Sequence, residues 1–161
     1  MVSGGAVYCF DTSSLLHAWR RAYPPKRFSR LWACFDDLIE EGRMVASIEV
    51  LNELKKKDDD VFEWAKDRKE SMFLEIDEKI QAQIGQIMAD YPRLVDTKTG
   101  KSGGDPFVIA QAMIQNPHYI IVTEEQGGSS KSPKIPYVCI QEGLRHINLL
   151  TLIEDEDWSF S

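Results

Sequence analysis

The chain has 161 residues, of which 43% are hydrophobic and 28% charged, with a net charge of −7. That length suits a single domain over 1–161 with a buried core, and the composition carries neither a disorder signature nor the roughly 20-residue apolar stretch that crosses a bilayer. The acidic balance argues against a general polyanion binder, the N-terminus lacks the flank and apolar run of a signal peptide, and three scattered cysteines (Cys9, Cys34, Cys139) suit a reducing, cytoplasmic location.

The apolar run Ala6–Phe10 predicts a first strand ending at Asp11, then a helix over about 13–22 that Pro24-Pro25 must break. Ser29 is placed to cap a second helix over about 30–41, with Leu31, Phe35, Leu38 and Ile39 on one face and Gly42 as its stop. A short strand over about 43–46 leads to Ser47, a good N-cap for the helix that carries Glu53. Lys55–Lys57 followed by Asp58–Asp60 match the dipoles of one helix end and the next helix start. A helix over about 60–69, an extended piece at 72–74 and a helix over about 77–90 follow, the last with Ile80, Ile84, Ile87 and Met88 as its apolar stripe. Residues 96–104 read as a polar, glycine-rich loop, and Asp105 opens a helix to about 115 that Asn116-Pro117 ends. A strand over 119–123, a flexible loop from Gly127 to Pro133, a strand near 136–140 and a helix over about 148–156 complete the chain. Strands alternating with helices predict an α/β fold, a three-layer α/β/α sandwich with a mostly parallel central sheet.

Four carboxylates stand where strand or helix ends should meet one edge of that sheet. Asp11 follows the first strand, Glu53 lies one turn into its helix, Asp105 heads an apolar helical stripe, and Glu125 follows the strand 119–123. Ligands of open α/β sheets bind at the carboxyl ends of the strands. Acids converging there repel one another, so they make electrostatic sense around a hard divalent cation, which suggests metal-assisted phosphoryl chemistry. Asp11 before Thr12-Ser13-Ser14 is equally placed to cap a helix, and Asp105 before Pro106 could do the same. Val108, Ile109, Ala112 and Met113, however, turn Asp105 towards the sheet, where an ionised acid is costly without a partner. At about 100° per residue, Glu53 borders the apolar face of Val50, Leu51 and Leu54, whereas Glu49 points to solvent. Alternation puts Glu124 and Glu125 on opposite sides of their strand, and the residues alone do not choose between them.

His17, His118 and His146 lack the spacing of a helical zinc motif, and neither a P-loop nor a nucleophile elbow is present. The C-terminal acids Glu154–Asp157 read as a solvated face. Arg20, Arg21, Lys26, Arg27 and Arg30 crowd the segment after the first acid, with Tyr23 and Phe28 among them. Basic residues interleaved with aromatics suit a single-stranded nucleic acid.

Taken in order, Val7–Ser13, Ser47–Leu54, Gly104–Ala112 and Ile121–Glu125 resemble the motifs of PIN-domain proteins over about residues 6–140, in a bacterial branch related to VapC-type toxins. The resemblance implies a PIN-like α/β/α sandwich and a metal-dependent ribonuclease, with Asp11, Glu53 and Asp105 as its first three acids. The fourth aligns with Glu125, although the family commonly has aspartate after a Thr-Asn pair and this chain has Thr123-Glu124-Glu125. On this reading Asp11, Asp105 and Glu125, with Glu53, hold Mg²⁺ or Mn²⁺ for hydrolysis of an RNA phosphodiester. Thr12, Ser13, Thr123 and Glu124 orient those acids, and Arg20, Arg21, Lys26 and Arg27 contact RNA. A cognate antitoxin and a homodimer are the implied protein partners, with no membrane. The rival readings are a non-catalytic PIN-like module that holds RNA or protein, and a phosphatase with Asp11 as nucleophile. The second of these lacks an acid at Ser13, two residues on.

Overall fold

The apolar triplet Tyr8-Cys9-Phe10 forms β1 (Tyr8–Phe10), buried throughout. In the computed structural model, which describes residues 5–95 and 104–160, β1 is the middle strand of a five-stranded sheet. Its partners are β2 (Met44–Ser47), β3 (Phe73–Leu74), β4 (Ile120–Val122) and β5 (His146–Ile147), in the order β3-β2-β1-β4-β5. Every pairing is parallel, as the sequence predicted for the centre of the fold. Parallel strands are covered on both faces, which is why these strands carry apolar runs without alternation.

Side chains of β1 show what covers each face. Cys9 points to one side, its thiol 3.9 Å from the carbonyl of Val108 on α7 (Asp105–Met113). Phe10 points to the other and meets Phe35 of α2 (Ser29–Glu40) edge-on, ring centroids 5.7 Å apart. Tyr8 shares that second face and donates to Glu156, just past α9 (Leu149–Asp155). α6 (Glu78–Asp90) packs on α7, completing a helix–sheet–helix sandwich.

Between β1 and α2 the chain forms α1 (Thr12–His17), continued by a π-helical turn over Ala18–Ala22. One α-helix was expected there; the π turn re-aims Arg20 and Arg21 before Pro24-Pro25 stops the helix. Ser29 proves to be the first residue of α2, with Phe28 at its N-cap, so the expected serine cap is absent. Ser47 does cap α3 (Ile48–Lys57), accepting from the Glu49 N–H at 3.2 Å. Asp58 then caps α4 (Asp59–Lys66) through the N–H groups of Asp60 and Val61. The expected helix over 60–69 is divided into α4 and the short α5 (Lys69–Met72).

The expected strand near 136–140 is instead α8 (Ile135–Glu142). Pro136 sits in its first turn, and Ile135, Val138 and Cys139 are buried at helical spacing. Gly143 ends it in the left-handed conformation at φ 71°, which favours glycine. The last strand is β5, further along and unpredicted. The polar loop expected over 96–104 falls at 96–103 outside the described residues.

Candidate active site

The chain runs outward from β1 to β2 and β3, then returns across the sheet to place β4 on the other side of β1. The strand order therefore reverses between β1 and β4, and the carboxyl edge at such a switch point is where open α/β sheets bind ligands. Asp11 leaves β1 at this edge, its N–H bonded to the Val122 carbonyl of β4 at 3.1 Å. By alternation it faces the same side as Cys9, the side covered by α7. Thr123 and Glu125 leave β4 beside it, Asp105 opens α7 above it, and Glu53 enters from α3.

Three of the four acids are buried: Asp11 is 1% exposed, Asp105 7% and Glu53 8%. Asp11 is tightly held. Its Oδ2 accepts from the Thr123 hydroxyl at 2.5 Å, both oxygens accept from the Ser13 hydroxyl at 2.8–2.9 Å, and Oδ1 accepts the Ser14 N–H at 2.8 Å. Burial nevertheless pushes its carboxyl up to about 6, helped by the Glu125 charge and opposed by those hydrogen bonds. Asp105 is raised well above the usual carboxylate range by burial first, then by the charges of Glu125, Asp11 and Glu53. Its closeness to the Glu125 carboxyl adds to that rise. The Thr12 hydroxyl donates to Glu53 at 2.8 Å.

The two consecutive glutamates part company at the end of β4. Glu125 turns to Asp105 and accepts the first N–H of α8, from Ile135, at 3.3 Å. Glu124 turns away, accepting the Leu149 N–H at 2.9 Å and lying 3.6 Å from His17 Nε2. The Thr123 hydroxyl accepts the Glu125 N–H at 3.0 Å, a side-chain turn that ends the strand's alternation and presents Glu125 to the acids.

Asp11 is thus both an acid of the cluster and the N-cap of α1, whereas Asp105 is the first helical residue behind a Gly104 N-cap and caps nothing with its side chain. Among the described residues no lysine or arginine pairs with Asp11, Asp105 or Glu125. Hard oxygen donors gathered with surplus negative charge are the donor set that fits Mg²⁺ or Mn²⁺. As the side chains stand, no group of three His, Cys, Asp or Glu among the described residues is gathered closely enough to hold an ion. Glu125, half-buried and shared between Asp105 and the start of α8, is the acid with room to turn.

Over residues 8–160 the chain matches the family described as Domain of unknown function (DUF4411). The chain belongs to this family. No curated protein matches it. Its fold is shared with a chain of the Rickettsia felis VapBC2 complex bound to a DNA fragment from its promoter, at 16% identity and a TM-score of 0.53, covering 88% of this chain and 98% of that one. A chain of DNA-bound VapBC from Salmonella typhimurium gives 16% identity and 0.52, covering 89% and 98%. A chain of FitAcB from Neisseria gonorrhoeae gives 18% and 0.51, covering 88% and 97%. At these identities the likeness is one of fold, and it is the VapC-like PIN fold that the motifs anticipated.

In this DUF4411 chain the four basic residues expected to contact RNA do not form one patch. Arg20 is engaged in an ion pair with Asp58 at 2.7 Å and donates to the Lys57 carbonyl, tying the π turn to the α3–α4 junction. Arg21 lines a concavity of about 280 Å³ with Ser13, His17 and Glu124, next to the acids. Lys26 and Arg27 are exposed further on, Arg27 beside Phe28 and Phe160 in a separate hollow. Sequence reasoning did not find Ser14, whose place three residues after a capping Asp was the available signal. Nor did it find the Ile135 N–H, which depends on α8 being a helix. Among the described residues no helix is long and apolar enough to cross a membrane.

Proposed function

We propose that this chain is a divalent-metal-dependent ribonuclease that acts in the cytoplasm as the toxin of a toxin–antitoxin pair. The observation that carries the reading is the convergence of Asp11, Asp105 and Glu125, two of them buried, at the switch point of a parallel sheet, with no lysine or arginine paired to these three among the described residues. Asp11, Asp105 and Glu125 would hold Mg²⁺ or Mn²⁺, with Glu53 beside them. Such an ion, when bound, supplies a Lewis acid for the phosphodiester and lowers the pKa of water for attack. The chain itself does the positioning. Thr123, Ser13 and Ser14 fix the Asp11 carboxylate, Thr12 fixes Glu53, and the first N–H of α8 steadies Glu125. Burial at the strand ends keeps bulk water from these oxygens, which strengthens every charge interaction there. Arg21, in the hollow next to Ser13, is suited to an RNA phosphate, with Lys26 and Arg27 further along the strand's path.

The similarity of fold to chains of VapBC and FitAcB complexes supports a toxin with a cognate antitoxin as its protein partner; the homodimer is proposed on the resemblance of the motifs alone. Three cysteines without a disulfide suit the reducing compartment in which such a pair would act. Induced expression in a bacterial host is the direct test. Wild-type chain should arrest growth and fragment cellular RNA, and Asp105→Asn should do neither at equal protein level. Unimpaired growth with intact RNA, or arrest by the variant equal to that by the wild type, would defeat the proposal.

A further inference from the structure

Next to the acids, the carboxyl edge opens into another concavity, of about 410 Å³, between the ends of β4 and β5. That volume lies within the range of about 300–1,000 Å³ typical of small-molecule sites. Glu125 lines it, so it is continuous with the candidate active site, and its wall continues through Glu124 and Gln126 to His146, Asn148 and Thr151. Among the described residues no lysine or arginine lines it. A phosphate subsite would need them, so the hollow suits a different part of a nucleotide.

Its polar groups are two carboxylates, Glu125 on the side of the acids and Glu124 in the wall, with neutral donors and acceptors around Glu124. Asn148 uses Oδ1 to accept the Thr151 N–H at 2.9 Å, and its Nδ2 has no partner among the described residues. His146 is half-buried, and burial lowers its imidazole from the usual value, which favours the neutral ring that donates at one nitrogen and accepts at the other. Glu124 is held in the wall by the Leu149 N–H at 2.9 Å, with His17 Nε2 3.6 Å from its other oxygen and lone pairs left on both oxygens. A fixed carboxylate can only accept, so its ligand must present donors.

We infer that this concavity is a nucleobase subsite, beside the phosphate held at the acids, and that it selects guanine; its place in an RNA substrate rests on the ribonuclease reading. Proteins that read single-stranded RNA splay bases out and hydrogen-bond their Watson–Crick edges. Guanine sets two adjacent donors, N1–H and N2–H, on that edge next to the O6 acceptor. Glu124 accepts the pair and Asn148 Nδ2 donates to O6. Adenine and cytosine each offer one amino group next to an acceptor, and uracil one N–H flanked by two acceptors, so none of them satisfies Glu124 twice. Pro136 supplies an apolar wall for the ring.

The test is fluorescence anisotropy of the full chain in EDTA, where no metal-dependent cleavage intervenes. The probes are labelled oligouridylates, unmodified or carrying a single guanosine, inosine, adenosine or cytidine. Guanosine should tighten binding about tenfold or more, the range of one good bidentate base contact. Inosine, which lacks the 2-amino group, should lose most of that gain on the unaltered protein. Glu124→Gln should reduce the preference to within about twofold, because its amide sets N–H₂ against the donors of guanine. If that variant does not fold, the inosine result decides alone. Equal binding of all five probes, a preference for another base, or a guanosine preference that inosine retains would overturn the inference. Cleavage of RNA in Mn²⁺ without any base preference would remove the subsite and leave the nuclease reading intact. A guanosine preference in a chain that never cleaves would refute the nuclease and keep the subsite.

Discussion

Burial of Asp11 makes the stability of the metal-free protein depend on pH in a direction opposite to ordinary acid denaturation. Its carboxyl moves from 3.8 to about 6 on folding. The folded chain therefore binds the proton more tightly than the unfolded chain, and stability is lost as pH rises from about 4 through about 6. At 1.36 kcal/mol per pKa unit, the rise corresponds to ~3 kcal/mol less stability at neutral pH than at about pH 4. Asp105 acts with the same sign, since burial and its acidic neighbours raise it too. Two groups oppose the trend. His146, lowered by burial, adds stability as pH climbs towards 6.5. At Asp58 burial is outweighed by Arg20 and the first N–H groups of α4, so its contribution is lost only below about pH 4. Asp11→Asn isolates the effect, because asparagine retains an acceptor for the Ser14 N–H and cannot titrate. Urea unfolding in EDTA, followed by the fluorescence of the four tryptophans, should show the wild type losing up to ~3 kcal/mol relative to the variant between about pH 4 and pH 7. A difference that stays constant with pH, or one that grows in favour of the wild type, would refute the reasoning.

Titration of Mn²⁺ into Glu125→Gln should show roughly tenfold weaker binding than the wild type, while Glu124→Gln should be close to unchanged, because only Glu125 faces Asp105 and Asp11. Asp105→Asn should raise the melting temperature of the metal-free protein, since a buried acid among like charges becomes neutral without losing a helix cap. Arg20→Ala should lower stability by at most about 1 kcal/mol, its side chain being 45% exposed in the Asp58 pair, and barely change RNA affinity. Arg21→Ala should leave stability alone and reduce the slope of log affinity against log salt by about 0.7, as read by filter binding of single-stranded RNA.

The acids were legible because each follows a strong local signal. An apolar run ends at Asp11, a serine cap sets the phase of Glu53, and an apolar stripe begins at Asp105. The features that escaped the sequence depend on contacts between distant residues or on signals of similar strength. Ile135–Ile140 is apolar enough for a strand, and only Pro136 and Gly143 mark it as the helix whose first N–H holds Glu125. β5 has two residues, His146 and Ile147, too few to show any period. Alternation could not choose between Glu124 and Glu125 because β4 ends at Val122, and the Thr123 hydroxyl, not the pleat, directs the path of the chain through both glutamates. Arg20 looked free because Asp58, its partner, lies 38 residues away along the chain.

Cleavage of end-labelled single-stranded RNA by the purified chain, with Mn²⁺ or with EDTA, tests the account most directly when wild type and Asp105→Asn are run together. Wild-type protein should cut in Mn²⁺ and not in EDTA, and Asp105→Asn, folded as judged by its melting temperature, should not cut in either. Cleavage by the wild type in EDTA, or by the variant at the wild-type rate in Mn²⁺, would show that the buried carboxylates at the β1–β4 edge are not a catalytic metal centre.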